Sequence, residues 1–352
     1  MILKQRYSKD EAFVSFAPAI LKIYNRNREE FWDIALSQFL SDQFSLKGTF
    51  QKIKLGIELY KAFNGLTQYR KKVLQDFSQS RLIDINSWKS NRKSYFTDAY
   101  PIFAFLVIWM EENGLHEMLE RFDEVLKAAV FAVAGYGILD VNVDGDSPSP
   151  VEILTAHALI SEYEFLALDV LGTTKANVEI IHKMRGLYLD AEIKEKACRH
   201  KCSPYRKDAP EALGSKGANA VSPFMLCLER LGKAELIDRY WEVFLSFGAV
   251  IQLIDDWCDL EADLAVGHYS YITLGYESML KKYSPEQVAR KLRSDEFLIS
   301  ESYKTGKRLI EKSGKILTEL NDPILGKLVD ITDIRLESYL KQSITFSKKL
   351  IK

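Results

Sequence analysis

Val243-Phe-Leu-Ser-Phe-Gly-Ala-Val-Ile-Gln-Leu-Ile254 runs without interruption into Asp255-Asp256-Trp257-Cys258-Asp259-Leu-Glu261-Ala-Asp263. An apolar run of this length, with no strand-like alternation, reads as a helix, and the carboxylates follow directly on Val250, Ile251, Leu253 and Ile254. Asp255, Asp259 and Asp263 are spaced i, i+4, i+8 and so share one helical face. Like charges at that spacing repel by a few tenths of a kcal/mol per pair. Negative charge at the C-terminal end of a helix also opposes its dipole. A divalent counter-ion relieves both terms. Oxygen ligands without cysteine or histidine in register select magnesium rather than zinc. The plainer alternative is a solvated acidic helix end, and the acids' place at the end of an apolar stretch argues against it.

The same logic extends along the chain. Ser149-Pro150, Ser284-Pro285 with Gln287, and Asp322-Pro323 each set a capping side chain before a proline at the first helical position. Apolar-periodic stretches occupy about Tyr95 to Met110, His116 to Leu139, Val151 to Leu171, Ala176 to Lys201, Glu211 to Leu231, Lys233 to Asp259 and Pro323 to Leu350. Alternating β-branched runs are almost absent, so the chain is expected to be all-α. Residues 1–90 are rich in Phe, Tyr, Lys and Arg without a chemical motif, and read as further helices of the same bundle or as a cap.

Composition narrows the partners. With 48 basic against 49 acidic residues, the chain has neither a nucleic-acid footprint nor an acidic tail. The start MILKQRYSKDEAF lacks the apolar core of a secretory signal, and the longest apolar runs, Pro101 to Met110 and Ala128 to Leu139, are too short to span a bilayer. Four cysteines in 352 residues do not form a disulfide framework, and the expectation is a cytoplasmic protein acting on a small molecule. Cys198, His200 and Cys202 hint at a metal clip, but no second half-site follows at zinc spacing, so the expectation is a helix with two small apolar thiols four apart and a surface histidine.

A second acidic segment, Tyr136-Gly-Ile-Leu-Asp140-Val-Asn142-Val-Asp144-Gly145-Asp146, follows another apolar helix. Asp140, Asn142, Asp144, Gly145 and Asp146 match the early positions of an EF-hand loop, but position twelve is Val151 instead of a bidentate glutamate. Calcium at 140–151 therefore remains an alternative to half of a divalent-metal site. Between the two clusters, Lys194 to Lys207 (KEKACRHKCSPYRK) concentrates positive charge of the kind a diphosphate requires, unless it is only a solvated basic face.

These motifs carry a resemblance. Gln252 to Gly267, QLIDDWCDLEADLAVG, resembles the second aspartate-rich motif, Q-x-x-D-D-x-x-D, of the trans-prenyl diphosphate synthases, members of the class I isoprenoid synthase superfamily. The family continues with glycine, lysine and Ser or Thr, where this chain has Gly267, His268, Ser270 and Thr273, so the lysine is missing. In the family's first motif, D-D-x-x-D, only Asp140 aligns: Tyr136 and Gly137 stand where the first two aspartates belong, and Asp144 could complete a pair with Asp140. Glu152 to Leu171 is similar to the helix that follows that motif, and the likeness covers roughly residues 90 to 275.

The resemblance implies a single-domain helical bundle of the isoprenoid synthase type over residues 91–352. It implies Mg2+ held by Asp140, Asp144, Asp255, Asp256 and Asp259, with Asp255, Asp256, Asp259 and Lys207 catalytic. Diphosphate binding falls to Lys207, then Arg206, with Arg92 and Lys93 in KSNRK at the place of the family's Gly-Lys-Arg clamp, and His268. An apolar cavity is expected among Phe103, Phe131, Tyr136, Tyr163, Phe165, Phe224 and Trp257, whose ring faces suit a carbocation. The family's arginine pair for a second diphosphate is replaced by Ser147-Pro148-Ser149-Pro150. The expected activity is therefore a class I terpene synthase cyclising or eliminating one prenyl diphosphate. The alternatives are a chain-elongating prenyltransferase and a non-catalytic partner subunit, and a homodimer is compatible with each.

Overall fold

The computed structural model describes residues 16–26, 28, 31–32, 50–81, 93–144 and 149–350; at 50–54, 81, 93–101, 144, 218–221 and 341–350 it describes the backbone alone. Among the described residues every regular element is helical. In chain order they are α1 Phe16–Arg26, α2 Phe50–Arg81, α3 Lys93–Glu112, α4 His116–Glu120, α5 Phe122–Asp144, α6 Pro150–Leu171 and α7 Lys175–Cys198. A 3-10 segment, Pro210–Val221, leads into α8 Ser222–Arg230, and α9 Ile237–Ala265 follows. The chain continues through α10 Glu277–Leu280, α11 Pro285–Arg293, α12 Glu296–Glu319 and α13 Pro323–Leu350. No described helix is long and apolar enough to cross a membrane.

The three capped starts fold as their chemistry dictates. Ser149 accepts the Glu152 N–H at 3.3 Å. Ser284 and Gln287 close a reciprocal capping box. Asp322 accepts the Leu325 N–H at 3.1 Å, and its other oxygen accepts from Trp109 Nε1 at 2.8 Å and Tyr240 OH at 2.9 Å, tying α13 to α3 and α9.

Two stretches read from periodicity as continuous helices are broken. His116 to Leu139 divides at Arg121, whose N–H turns back to the Met118 carbonyl. The Glu211 to Leu231 stretch begins as a 3-10 segment and becomes α-helical only at Ser222. Gly214 sets that geometry: an added Cβ would lie 2.0 Å from the Leu245 carbonyl oxygen, so only glycine lets this segment press onto α9, where Gly248 makes the matching gap. α9 runs beyond the expected stretch of Lys233 to Asp259. It stays helical to Ala265, so Asp255, Asp256, Asp259 and Asp263 are borne on its last turns.

The described part of the first ninety residues joins the same apolar core. Phe16 stacks on Phe122 at 6.3 Å, Phe77 meets Phe131 at 5.5 Å, and Tyr69 OH donates to the Asp123 carbonyl at 2.8 Å.

Candidate functional site

Acidic groups from α5 and α7 converge on one lysine. Along α7 the inward stripe Ile180, Ile181, Met184, Tyr188 and Ala191 continues into Glu192 and Glu195, both buried. Burying a carboxylate is unfavourable unless a cation meets it. Lys216 does so, carried into place by the close contact of Gly214 with α9. Its Nζ lies 2.8 Å from Glu195 Oε2, 3.1 Å from Glu192 Oε1 and 3.6 Å from Asp140 Oδ1. Burial works against the ammonium, but Glu195, Asp140 and Glu192 outweigh it and hold Lys216 well above its ordinary range.

The two glutamates differ in charge state. Burial pushes the Glu192 carboxyl up to about 7 despite Lys216, and neither of its oxygens makes a well-aligned hydrogen bond. Burial also acts to raise Glu195, yet His268 and Lys216 prevail and hold it down to about 2. Glu195 additionally accepts from Tyr205 OH. His268 Nε2 stands 3.5 Å from Glu195 Oε2, an ion pair and not an aligned hydrogen bond, and its Nδ1 is 3.9 Å from Asp263 Oδ1. Burial pulls the imidazole down, but the two carboxylates win and lift it to about 9.

On α9 the aspartates divide by face. Asp256 is buried and already engaged, accepting from Gln252 Nε2 at 3.1 Å and from the Tyr271 N–H at 3.3 Å. It anchors the turn after α9, and burial raises its carboxyl to about 7. Asp255 faces the other way. Solvent reaches its surface, yet protein atoms crowd round its carboxyl. That crowding, then the charges of Asp259 and Asp140, lift it to about 6, with Lys216 and Arg335 pulling the other way. Asp140 and Asp255, from α5 and α9, are therefore close enough for the charge of one to raise the other.

Gly267 locks the turn that delivers His268. Its φ is +72°, and a Cβ there would fall 1.9 Å from the His200 ring, while the His200 N–H donates to the Gly267 carbonyl at 2.8 Å. His200 thus braces the end of α7 against the turn after α9.

The residues singled out in the sequence are not all brought together. Asp140, Asp255 and His268 are at the cluster, and Asp259 is one turn on from Asp255. Asp144 is the last residue of α5, with its side chain outside the described set, and Arg92 lies outside the described residues altogether, as does the side chain of Lys93. Lys207 is exposed and offers only its carbonyl, to Tyr271 OH at 3.4 Å. Arg206 is turned to solvent, forked onto Asp208. The buried cation at the carboxylates is Lys216, and its partners Glu192 and Glu195 were not anticipated either. The readable signal was two glutamates continuing the apolar stripe of α7, which require a cation from elsewhere.

The calcium alternative loses donors to helix formation. Residues 140–144 are part of α5, and Asn142 is buried, donating to Ile138 O and Glu152 Oε2 while its own oxygen accepts the Ser149 N–H at 2.8 Å.

Of the aromatic candidates, Phe103 and Tyr163 line an apolar cavity of about 40 Å³ with Ala128, Ala132, Ala167 and Ser222. Tyr163 OH donates to Ser222 at 2.8 Å. Ala128, Ala132, Tyr136 and Asp140 follow at four-residue steps along α5, a row that turns by about 40° per step, so Tyr136 and Asp140 lie about one and two turns beyond the cavity-lining Ala132. Tyr136 packs on Tyr188 between them, with ring centroids 4.7 Å apart. Phe131 packs on Phe77, Phe224 on Trp109 and Phe244, and Trp257 is buried away from the cavity. Phe165, expected to face inward, is 62% exposed, because the face of α6 that meets α5 is that of Ala156, Leu159, Ile160 and Tyr163.

Among the described residues no three Asp, Glu, His or Cys side chains already stand in metal-holding geometry. The donor set nonetheless suits a hard divalent cation. Asp140, Asp255 and Asp259 offer only oxygen, and of the causes that raise Asp255, burial first and then the charges of Asp259 and Asp140, a cation would relieve the charges. No protein-family model matches the chain, and no curated protein matches it.

Proposed function

We propose that the chain is a magnesium-dependent enzyme that ionises one prenyl diphosphate and then cyclises or eliminates the allylic cation, the activity of a class I terpene synthase. The observation that supports this most is the electrostatic influence of Asp140 on Asp255 with Lys216 beside Asp140, about two turns along α5 from an apolar cavity. Magnesium, held by Asp140, Asp255 and Asp259, would supply charge stabilisation to the departing diphosphate.

The remaining work falls to the chain's own side chains. Lys216 and His268 are both cationic at pH 7 and are held by carboxylates until a diphosphate offers stronger acceptors. Tyr205 and Glu195 keep them oriented. Phe103 and Tyr163 line the cavity and Tyr136 packs on Tyr188 beyond it, and such rings would stabilise a cation and keep water from it. A prenyl tail needs far more room than about 40 Å³, so α3, α5, α6 and α8 must spread to admit it.

Those same two features, a lysine among the carboxylates and a narrow cavity, favour a second reading: a partner subunit without catalysis of its own. Incubation of the full chain with magnesium and geranyl, farnesyl or geranylgeranyl diphosphate, with and without isopentenyl diphosphate, separates the readings. Hydrocarbon and free diphosphate from one substrate alone are the expected result. Longer prenyl diphosphates would show chain elongation, and no diphosphate release would leave the subunit reading.

A further inference from the structure

We propose that Cys198 and Cys202 are a redox pair, two thiols that a peroxide closes into a disulfide and a small-molecule thiol reopens. The proposal does not depend on the prenyl diphosphate reading, which uses neither sulfur.

The backbone builds the pair. α7 ends at Cys198, and Arg199, with φ −52° and ψ 135°, and His200, with φ +60°, then form a type II turn. Lys201 closes it by donating its N–H to the Cys198 carbonyl at 2.9 Å, and the Cys202 N–H donates to the same oxygen at 3.1 Å. The chain thus doubles back and sets Cys202 beside Cys198. The His200 position of such a turn favours glycine, and among the described non-glycine residues only Asn321 shares its left-handed conformation. Strain of this kind persists only where neighbours enforce it. Here the bond from the His200 N–H to the Gly267 carbonyl does so.

The surroundings give the two sulfurs different roles. Cys202 is exposed and lies in the run Lys194, Lys196, Arg199 and Lys201, whose positive charge favours the nucleophilic thiolate. Cys198 is half-buried, and burial, then its hydrogen bond and charge contact with Cys202, hold its thiol above the ordinary range. Cys202 is therefore the attacking sulfur and Cys198 the resolving one. The other cysteines are poor rivals. Cys227 is buried, and burial, then Asp255 and Asp259, push the Cys258 thiol up to about 11.

The chemistry balances with hydrogen peroxide as oxidant. The Cys202 thiolate attacks one peroxide oxygen, the O–O bond breaks, and a sulfenic acid and one water result. The Cys198 sulfur then attacks the Cys202 sulfur, the S–O bond breaks, and the second water leaves with the Cys198 proton. The two sulfurs lose two electrons and the peroxide gains them. Closure draws the sulfurs to about 2.0 Å and tightens a turn that is already strained, which makes the bond labile, not a structural staple.

The test is equimolar hydrogen peroxide added to the full chain, followed by alkylation of the remaining thiols in urea, trypsin and mass spectrometry without reductant. Trypsin cuts after Lys196, Arg199, Lys201 and Arg206, so the expected product is Ala197–Arg199 joined to Cys202–Arg206, with Cys227 and Cys258 alkylated. Dithiothreitol should reverse it. Cys198→Ser should stop at a sulfenic acid on Cys202 that dimedone captures, whereas Cys202→Ser should slow oxidation at Cys198 at least about tenfold. Four alkylated cysteines after peroxide overturn the proposal, as does oxidation of Cys258 ahead of the pair. So do equal oxidation rates in the two variants, or a pair that reacts only after a chelator strips a soft metal from it.

Discussion

The acidic ends of α5 and α9 look alike in sequence but are built differently. On α9 every acid comes from one helix: Asp256 turns inward to hold the following turn, and Asp255 and Asp259 turn outward. On α5 Asp140 turns toward Lys216, while Asn142 is spent on the start of α6. Its companions come from α7, as Glu192 and Glu195, with Lys216 between them. One patch is local and readable from spacing; the other is assembled from three segments and only folding brings it together.

The largest consequence concerns turnover. If the α9 patch carries the reaction, Asp255→Ala should lower diphosphate release about 10²- to 10³-fold, the usual loss on removing a group that stabilises transition-state charge. Stopped assays of diphosphate release check this.

Lys216→Met sharpens the contrast through stability. It strands Asp140, Glu192 and Glu195, and losing one partner of a buried ion network typically costs about 3–5 kcal/mol in urea unfolding. Lys207→Met, at an exposed position, should stay within about 0.5 kcal/mol of wild type. Equal effects would erase the distinction between the two lysines.

How much was legible follows from the same contrast. The caps at Ser149, Ser284 and Asp322 and the aspartate run of α9 are local patterns, and they fold as local rules require. Lys216 sits in a 3-10 segment whose path is fixed by Gly214 against Leu245, a tertiary contact that no periodicity encodes. Lys207 drew attention by its place in a run of positive charge, yet Cys198 ends α7 and the chain then leaves Lys207 on the rim. Phe165 was misread because an aromatic on an apolar helix was taken to face its own core.

Gly267→Ala tests the brace between the two patches. A positive φ together with the clash on His200 should cost about 1–3 kcal/mol in thermal or urea unfolding.

The pH dependence is smaller and divides by sign. Glu192, Asp255 and Asp256 are acids whose folded values are raised, so the folded state binds more protons and stability falls as pH rises from about 4 to about 7. His268 acts in the next window: its stabilisation is complete below 6.5 and is lost as pH rises through about 9. Glu195, held low, contributes above 4.5 and is lost as pH falls toward about 2. Each group changes the slope by at most about 1.4 kcal/mol per pH unit. Urea midpoints across pH 5 to 9 should therefore decline, and His268→Gln should flatten the part above pH 6.5.

The central claim is that the two patches act as one site. Titration calorimetry of inorganic diphosphate with magnesium into wild type, Asp140→Asn, Asp255→Asn and the double variant tests it directly. The expected result is binding to wild type with a coupling energy between the two substitutions of about 1 kcal/mol or more. Strictly additive losses, or wild-type protein that binds no magnesium diphosphate, would contradict it.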